Sequence, residues 1–326
     1  MKKSILLKRC TKKFFHILSL TAFYLGLNAC IQAHGSRPQN ESEVCLSQEL
    51  IPYSRLQQKS VHNAYQRKEK IPEMLNEGKL RSIEFDIHVG KKSQEKVAGD
   101  WYVYHSSTDS KSSINKLSDG LTLLRQFHER NPRHEVITLW MDIKDDFNDA
   151  GNRPEDLDRL FQSELSSILL TPGELARSCP AATNMQEAVK SPGCAWPTLK
   201  DLRGRIIIVL TETAALDYAP DGEIAVRRLA FIGPRVSKAE ELDRYSHAVF
   251  FNLDKKTASS TGLPQTVLAK NLISRSWDLN SQSDYEEAAE KGVLHLATNK
   301  VDEDKSPWST SIGNDGCLFT PISGSH

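Results

Sequence analysis

The sequence predicts an α/β chain folded as one (β/α)8 barrel of the TIM type. Three observations carry that expectation. Short runs rich in Val, Ile, Phe, Tyr and Trp alternate with longer amphipathic stretches, the pattern of parallel strands joined by crossover helices. Eight such runs can be counted, the number that closes a barrel. The length of 326 residues suits one barrel of about 250 residues with additions, and 39% hydrophobic with 26% charged residues is ordinary globular composition.

The strand candidates, in order, are Lys59–Val61, Ser82–Ile87, Trp101–His105, Val136–Asp142, Arg205–Thr211, His247–Asn252, Asn271–Ser276 and Val293–Ala297. Helices are expected over Ile71–Gly78, Gly120–Arg130, Pro154–Leu169, Lys238–Tyr245 and Asp284–Lys291. Pro154 followed by Glu155 and Asp156 is a good helix start, because proline loses nothing at the first helical position and acids suit the first turn. Gly292 after Lys291 is a good stop. Residues 171–197 hold four prolines and two cysteines and read as an insertion between the fourth and fifth strands. An open doubly wound sheet is the alternative architecture. No GxGxxG follows the first strand, which argues against a dinucleotide site.

The N-terminus reads as an export signal over residues 1–29. A basic stretch, Met1 to Lys13, precedes an apolar run from Phe14 to Leu27 that is short for a membrane span. Leu27-Asn28-Ala29-Cys30 resembles a lipoprotein cleavage site with Cys30 as the lipidated residue; cleavage near Ala29 or Ala33, or retention as an uncleaved anchor helix, are the other readings. Residues 30–55 read as a tether and 56–326 as the barrel. The formal net charge is zero, but the first 29 residues hold six of the 42 basic residues and no acid; the remainder has 36 basic against 42 acidic residues, a net of −6. That balance gives no general attraction to nucleic acid. Cys45, Cys179, Cys194 and Cys317 allow two disulfides in an oxidising compartment, and Cys179 with Cys194, bracketing one loop, is the favoured pair.

Four clusters carry chemistry. Ser60-Val61-His62-Asn63-Ala64-Tyr65 closes the first strand. In Ile83-Glu84-Phe85-Asp86-Ile87-His88, alternation puts Glu84, Asp86 and His88 on one face. Trp101-Tyr102-Val103-Tyr104-His105 ends in histidine, and Leu139-Trp140-Met141-Asp142-Ile143-Lys144 offers Asp142 and Lys144. On four consecutive strands, these groups converge on the C-terminal mouth of a barrel. Glu84, Asp86 and Asp142 repel one another there and require a cation or a proton. Hard oxygen donors, with an amide oxygen from Asn63, suit Ca2+ or Mg2+ better than Zn2+, and Ca2+ tolerates irregular ligand sets. A lone histidine at a strand end or a Glu-x-Asp strand is usually a satisfied or solvated feature. Acids on a strand of a parallel sheet covered on both faces need a reason. His88 reads as structural rather than catalytic.

Together the clusters resemble the phosphoinositide-specific phospholipase C superfamily, in its calcium-dependent pattern of His-Asn, Glu-x-Asp, His and a fourth-strand carboxylate. The nearer likeness is to the bacterial and fungal calcium-dependent phosphoinositide phospholipase C-like proteins. It extends to Thr171-Pro172-Gly173-Glu174-Leu175, to Trp196-Pro197-Thr198-Leu199-Lys200-Asp201-Leu202-Arg203-Gly204-Arg205 and to Ser274-Arg275-Ser276-Trp277-Asp278, over roughly residues 55–300. The resemblance implies a distorted (β/α)8 barrel that cleaves a phosphatidylinositol-type glycerophosphodiester. His62 and His105 would be the catalytic histidines, and Asn63, Glu84, Asp86 and Asp142 would hold Ca2+. Lys144 and Arg275 are candidates for substrate contacts. Two departures stand out: Asp142 stands where the eukaryotic enzymes have Glu, and Arg275 is followed by Ser276 rather than by a Thr-Arg pattern.

The implied reaction is attack of the inositol 2-hydroxyl on phosphorus, with His105 as general acid and Glu84 or Asp142 as base. It implies a phospholipid partner at a membrane surface and no nucleic acid; a monomer is the default. Competing readings are a glycerophosphodiester phosphodiesterase, disfavoured because Asn63-Ala64 replaces the Arg-Gly that usually follows its first histidine, a sphingomyelinase D-type phospholipase, and a non-catalytic head-group-binding lipoprotein.

Overall fold

A computed structural model of the chain describes residues 43–90, 99–147, 152–191, 193–301, 306–311, 313 and 316–322. The expected signal segment 1–29 and Cys30 lie outside the described residues. No helix among those described is long and apolar enough to cross a membrane.

Eight parallel strands build the barrel: β1 (Leu56–Val61), β2 (Ser82–His88), β4 (Ile137–Ile143), β5 (Ile206–Thr211), β6 (Phe231–Ile232), β7 (Phe250–Leu253), β8 (Ile273–Ser276) and β9 (His295–Thr298). They are ordered β6-β5-β4-β2-β1-β9-β8-β7. The seam between β6 and β7 closes only through a parallel bridge from Arg235 to Asn252, so the barrel is nearly closed. Two short strands lie outside this ring. β3 (Tyr102–Val103) pairs antiparallel with β2, and β10 (Thr320–Pro321) pairs antiparallel with β1.

Two expectations change here. Trp101–His105 does not supply a barrel strand: only Tyr102 and Val103 pair, and they run against β2. The eighth parallel strand is β6, in a stretch where the sequence suggests none. It pairs over two residues only, too short for an alternation pattern. It then ends at Gly233, where a Cβ would lie 2.9 Å from Val209 and 3.1 Å from Trp140. The close approach of this strand to the interior thus requires glycine.

Strand register arranges the interior in layers. Ser82 pairs with Thr138, Glu84 with Trp140 and Asp86 with Asp142; Asp142 in turn pairs with Thr211 on β5. The opposite face of β2 carries Ile83, Phe85 and Ile87, all buried. They face the helical layer, where Leu117–Arg130 and Pro154–Leu165 bury Leu121, Leu124, Leu157 and Phe161. The predicted helix from Pro154 starts as expected, with Asp156 Oδ2 accepting from the Arg153 N–H at 2.8 Å, but breaks into a 3-10 turn at Ser166–Ile168.

The N-terminal end of the barrel is sealed by Tyr53. Its hydroxyl bonds Thr138 Oγ1 at 2.6 Å and Gln58 Nε2 at 2.7 Å. Residues 43–55, within the stretch read as a tether, are thus folded against the barrel, and the Cys45–Cys317 disulfide links them to the C-terminal segment. The second disulfide is Cys179–Cys194, as expected. It staples an insertion whose Trp196 indole donates to the Asn271 carbonyl at 2.8 Å and packs edge-on against Phe250.

Candidate active site

The upper layer of the barrel interior is acidic. Glu84, Asp86 and Asp142 are buried, and one oxygen from each lies within 4.8 Å of the others. Alternation along β2 puts Glu84 and Asp86 on one face, and register adds Asp142 beside Asp86.

Each carboxylate is held differently. Glu84 Oε2 lies 2.7 Å from Arg275 Nη2 and accepts the Asn63 N–H at 2.9 Å. Burial pushes the Glu84 carboxyl up, but Arg275, His62 and the Asn63 N–H outweigh it and hold it below its ordinary range. Asp86 Oδ2 meets His105 Nδ1 at 2.9 Å and Lys144 Nζ at 3.3 Å. Its pKa is raised, by burial first and then by the charge of Glu84. Asp142 accepts from the Thr211 hydroxyl and lies 3.1 Å from Lys144 Nζ. Burial, with Glu84 nearby, pushes Asp142 up to about 7.

The two histidines stand at this layer. His62 follows β1 and places Nε2 3.7 Å from Glu84 Oε2, while Nδ1 lies 3.1 Å from Asp278 Oδ1 and 3.0 Å from Asn299 Oδ1. Burial lowers its pKa, but Glu84 and Asp278 carry it above the ordinary value. His105 stands on the loop after β3. The Tyr104 N–H bonds the Asp86 carbonyl at 3.2 Å, which hangs that loop on β2 and brings the imidazole to the Asp86 carboxylate. At 43% side-chain exposure His105 is open to the mouth.

Asn63 has a left-handed backbone, φ 50° and ψ 54°, which asparagine tolerates. This turns its N–H toward Glu84, while its Oδ1 accepts the Tyr65 hydroxyl at 3.2 Å. Burial, with Asp86 and Glu84 beside it, keeps the Tyr65 hydroxyl protonated. Lys144 reaches back over the mouth to bridge Asp86 and Asp142.

Arg275, a candidate substrate contact in the sequence, is fully buried beside Glu84. Its Nη1 donates to Asn252 Oδ1 at 3.1 Å, and its guanidinium lies over the Trp140 ring. His88 is apart from the site, stacked on Tyr104 with ring centroids 3.8 Å apart and 3.4 Å from Asp145.

Sequence reasoning missed Asp278, Asn299, Thr211 and Tyr65. Tyr65 and Asp278 lie inside the quoted clusters. Thr211 and Asn299 carried no signal beyond standing at or just past strand ends. Asp278, like Asn63, has a positive φ, at 61°.

No family model matches the sequence, and no curated protein matches it. Solved structures do. The chain is similar to a calcium-dependent phosphoinositol-specific phospholipase C from a Gram-negative Pseudomonas species, with a TM-score of 0.72 at 19% identity, covering 85% of this chain and 97% of that one. It is also similar to a calcium-dependent phosphatidylinositol-specific phospholipase C from Streptomyces antibioticus, with a TM-score of 0.63 at 20% identity, covering 79% and 98%. The chain therefore shares its distorted (β/α)8 fold with the calcium-dependent phosphoinositide phospholipases C.

Proposed function

We propose that this chain is a Ca2+-dependent phosphodiesterase that cleaves phosphatidylinositol-type glycerophosphodiesters. One observation carries the reading: His62 and His105, each anchored through Nδ1, stand beside three buried carboxylates at one barrel mouth. The fold relationship to calcium-dependent phosphoinositide phospholipases supports it.

The donors fit a hard divalent cation. All three carboxylates offer oxygen, and Asp86 Oδ1 is buried with no hydrogen-bond partner among the described residues. A buried acceptor without a partner is costly unless something positive meets it. Glu84, Asp86, Asp142 and Asn63 would hold Ca2+. Bound there, the cation supplies positive charge for the phosphate oxygens and acidifies the inositol 2-hydroxyl.

The chain's own groups do the rest. Glu84 or Asp142 is the base that takes the 2-hydroxyl proton. The freed oxygen attacks phosphorus and the bond to the diacylglycerol oxygen breaks. His105, held by Asp86 so that Nε2 is the nitrogen left for transfer, delivers a proton to that leaving oxygen. His62, steadied by Asp278 and Asn299, donates to a non-bridging oxygen as charge builds. The products of this step are diacylglycerol and the 1,2-cyclic inositol phosphate; opening that ring takes a water molecule in place of the 2-hydroxyl.

The two disulfides support an exported protein, with residues 1–29 as signal and Cys30 as the proposed lipid attachment. The decisive experiment is hydrolysis of phosphatidylinositol vesicles with Ca2+ and with a chelator. Inositol phosphate release that stops on chelation and returns with Ca2+ is expected. No release in either condition sinks the substrate assignment and moves the assay to sphingomyelin and lysophospholipids.

A further inference from the structure

Lys144 contacts two of the candidate cation ligands at once. Its Nζ lies 3.3 Å from Asp86 Oδ2 and 3.1 Å from Asp142 Oδ2, and strand register places those two residues side by side. A calcium ion bound by the same carboxylates needs oxygens at about 2.3–2.6 Å. A cation on these carboxylates, even one reached through the unpartnered Asp86 Oδ1, would stand within a few ångströms of the Lys144 ammonium at a largely buried place, where like charges repel strongly.

We propose that Lys144 is a tethered competitor of the divalent cation: the ammonium and the metal are alternative counter-charges of the Asp86–Asp142 carboxylate pair, so metal binding drives Lys144 out toward the rim. This rests on the metal reading given above. The fold offers the displaced side chain a destination. Lys144 lines a cavity of about 280 Å3 with Asp145, Asp146, Glu212 and Thr213, next to the mouth. Its side chain is 25% exposed, on the side that faces this cavity. Asp145 Oδ2 is fixed by the Val89 N–H at 2.8 Å, which keeps that wall in place.

In the inward position Lys144 neutralises Asp86 and Asp142. In the outward position it stands at the rim beside Asp145, Asp146 and Glu212, which offer it other counter-charges. The lysine thus lowers calcium affinity, and the metal moves its charge from the carboxylate layer to the rim.

The test is calorimetric titration of Ca2+ into the full chain and into Lys144→Met and Lys144→Gln, with folding checked by circular dichroism. Each neutral variant is expected to bind Ca2+ at least about tenfold more tightly than the wild-type chain. Equal or weaker binding by the folded variants overturns the competition and leaves the metal site standing. No Ca2+ binding by any of the three chains overturns both. A second measurement uses the unaltered protein: acylation of lysines by an amine-reactive ester, mapped by mass spectrometry. Labelling of Lys144 is expected to rise when Ca2+ is added, and unchanged or reduced labelling overturns the proposal.

Discussion

Arg275 and Glu84 form an ion pair at 2.7 Å from which solvent is excluded on both sides. Both are at most 1% exposed, and Arg275 is the nearest counter-charge of Glu84. Removing one partner of such a pair strands the other charge. Arg275→Met is therefore expected to destabilise the fold by roughly 3–5 kcal/mol, read from urea unfolding. Retention of wild-type stability would mean that Glu84 has another counter-charge.

His295 gives a pH dependence. It is completely buried among Tyr53, Ser82 and Trp140, and burial, with Arg275 nearby, pushes its pKa down to about 3. The unfolded chain takes up a proton near pH 6.5 and the folded chain does not. Stability is therefore full above that pH and lost as pH falls toward 3, at about 1.4 kcal/mol per pH unit from this residue. His295→Gln is expected to flatten that slope in denaturation series between pH 6 and 4. An unchanged slope would assign the acid sensitivity elsewhere.

The histidine roles separate in kinetics. His105→Ala is expected to lower kcat on phosphatidylinositol by about 10^2–10^4 with little change in KM, because the lost proton transfer belongs to the transition state. Asp278→Asn weakens the hold on His62 and is expected to lower kcat less. Equal losses in both variants would give Asp278 a role beyond positioning.

Metal binding should stabilise. With Ca2+ at a hundredfold excess over its Kd, the folded chain gains about 2.7 kcal/mol. Asp86→Asn is expected to abolish the Ca2+-induced rise in Tm, measured by calorimetry. A full rise in that variant would remove Asp86 from the ligand set.

The Cys45–Cys317 link spans 272 residues of sequence and ties both ends of the described chain together. Replacing both cysteines by serine is expected to cost about 2–5 kcal/mol in chemical denaturation.

Much of the site was legible in linear pattern. Alternation along β2 places Glu84 and Asp86 on one face whatever surrounds them, because the strand period is two. The acids also stand out, since a strand with both faces covered rarely carries them without cause. The weak point was β3. Trp101–His105 has strand composition, yet its direction is set by pairing with β2, a non-local contact that composition does not encode. His105 reaches the site all the same, because the Tyr104 N–H hangs the loop on Asp86.

By itself, the sequence laid out the alternating α/β plan, the candidate carboxylates and histidines and the favoured Cys179–Cys194 pair, all local in character. Only the tertiary structure decided that β6 completes the barrel, that Asp86, Asp142 and Thr211 share one row, that Asp278 and Asn299 hold His62, and that Arg275 lies beside Glu84. Those facts depend on register and burial. Both are fixed by contacts between residues far apart in the chain, where packing chooses among side-chain placements that local pattern leaves equivalent.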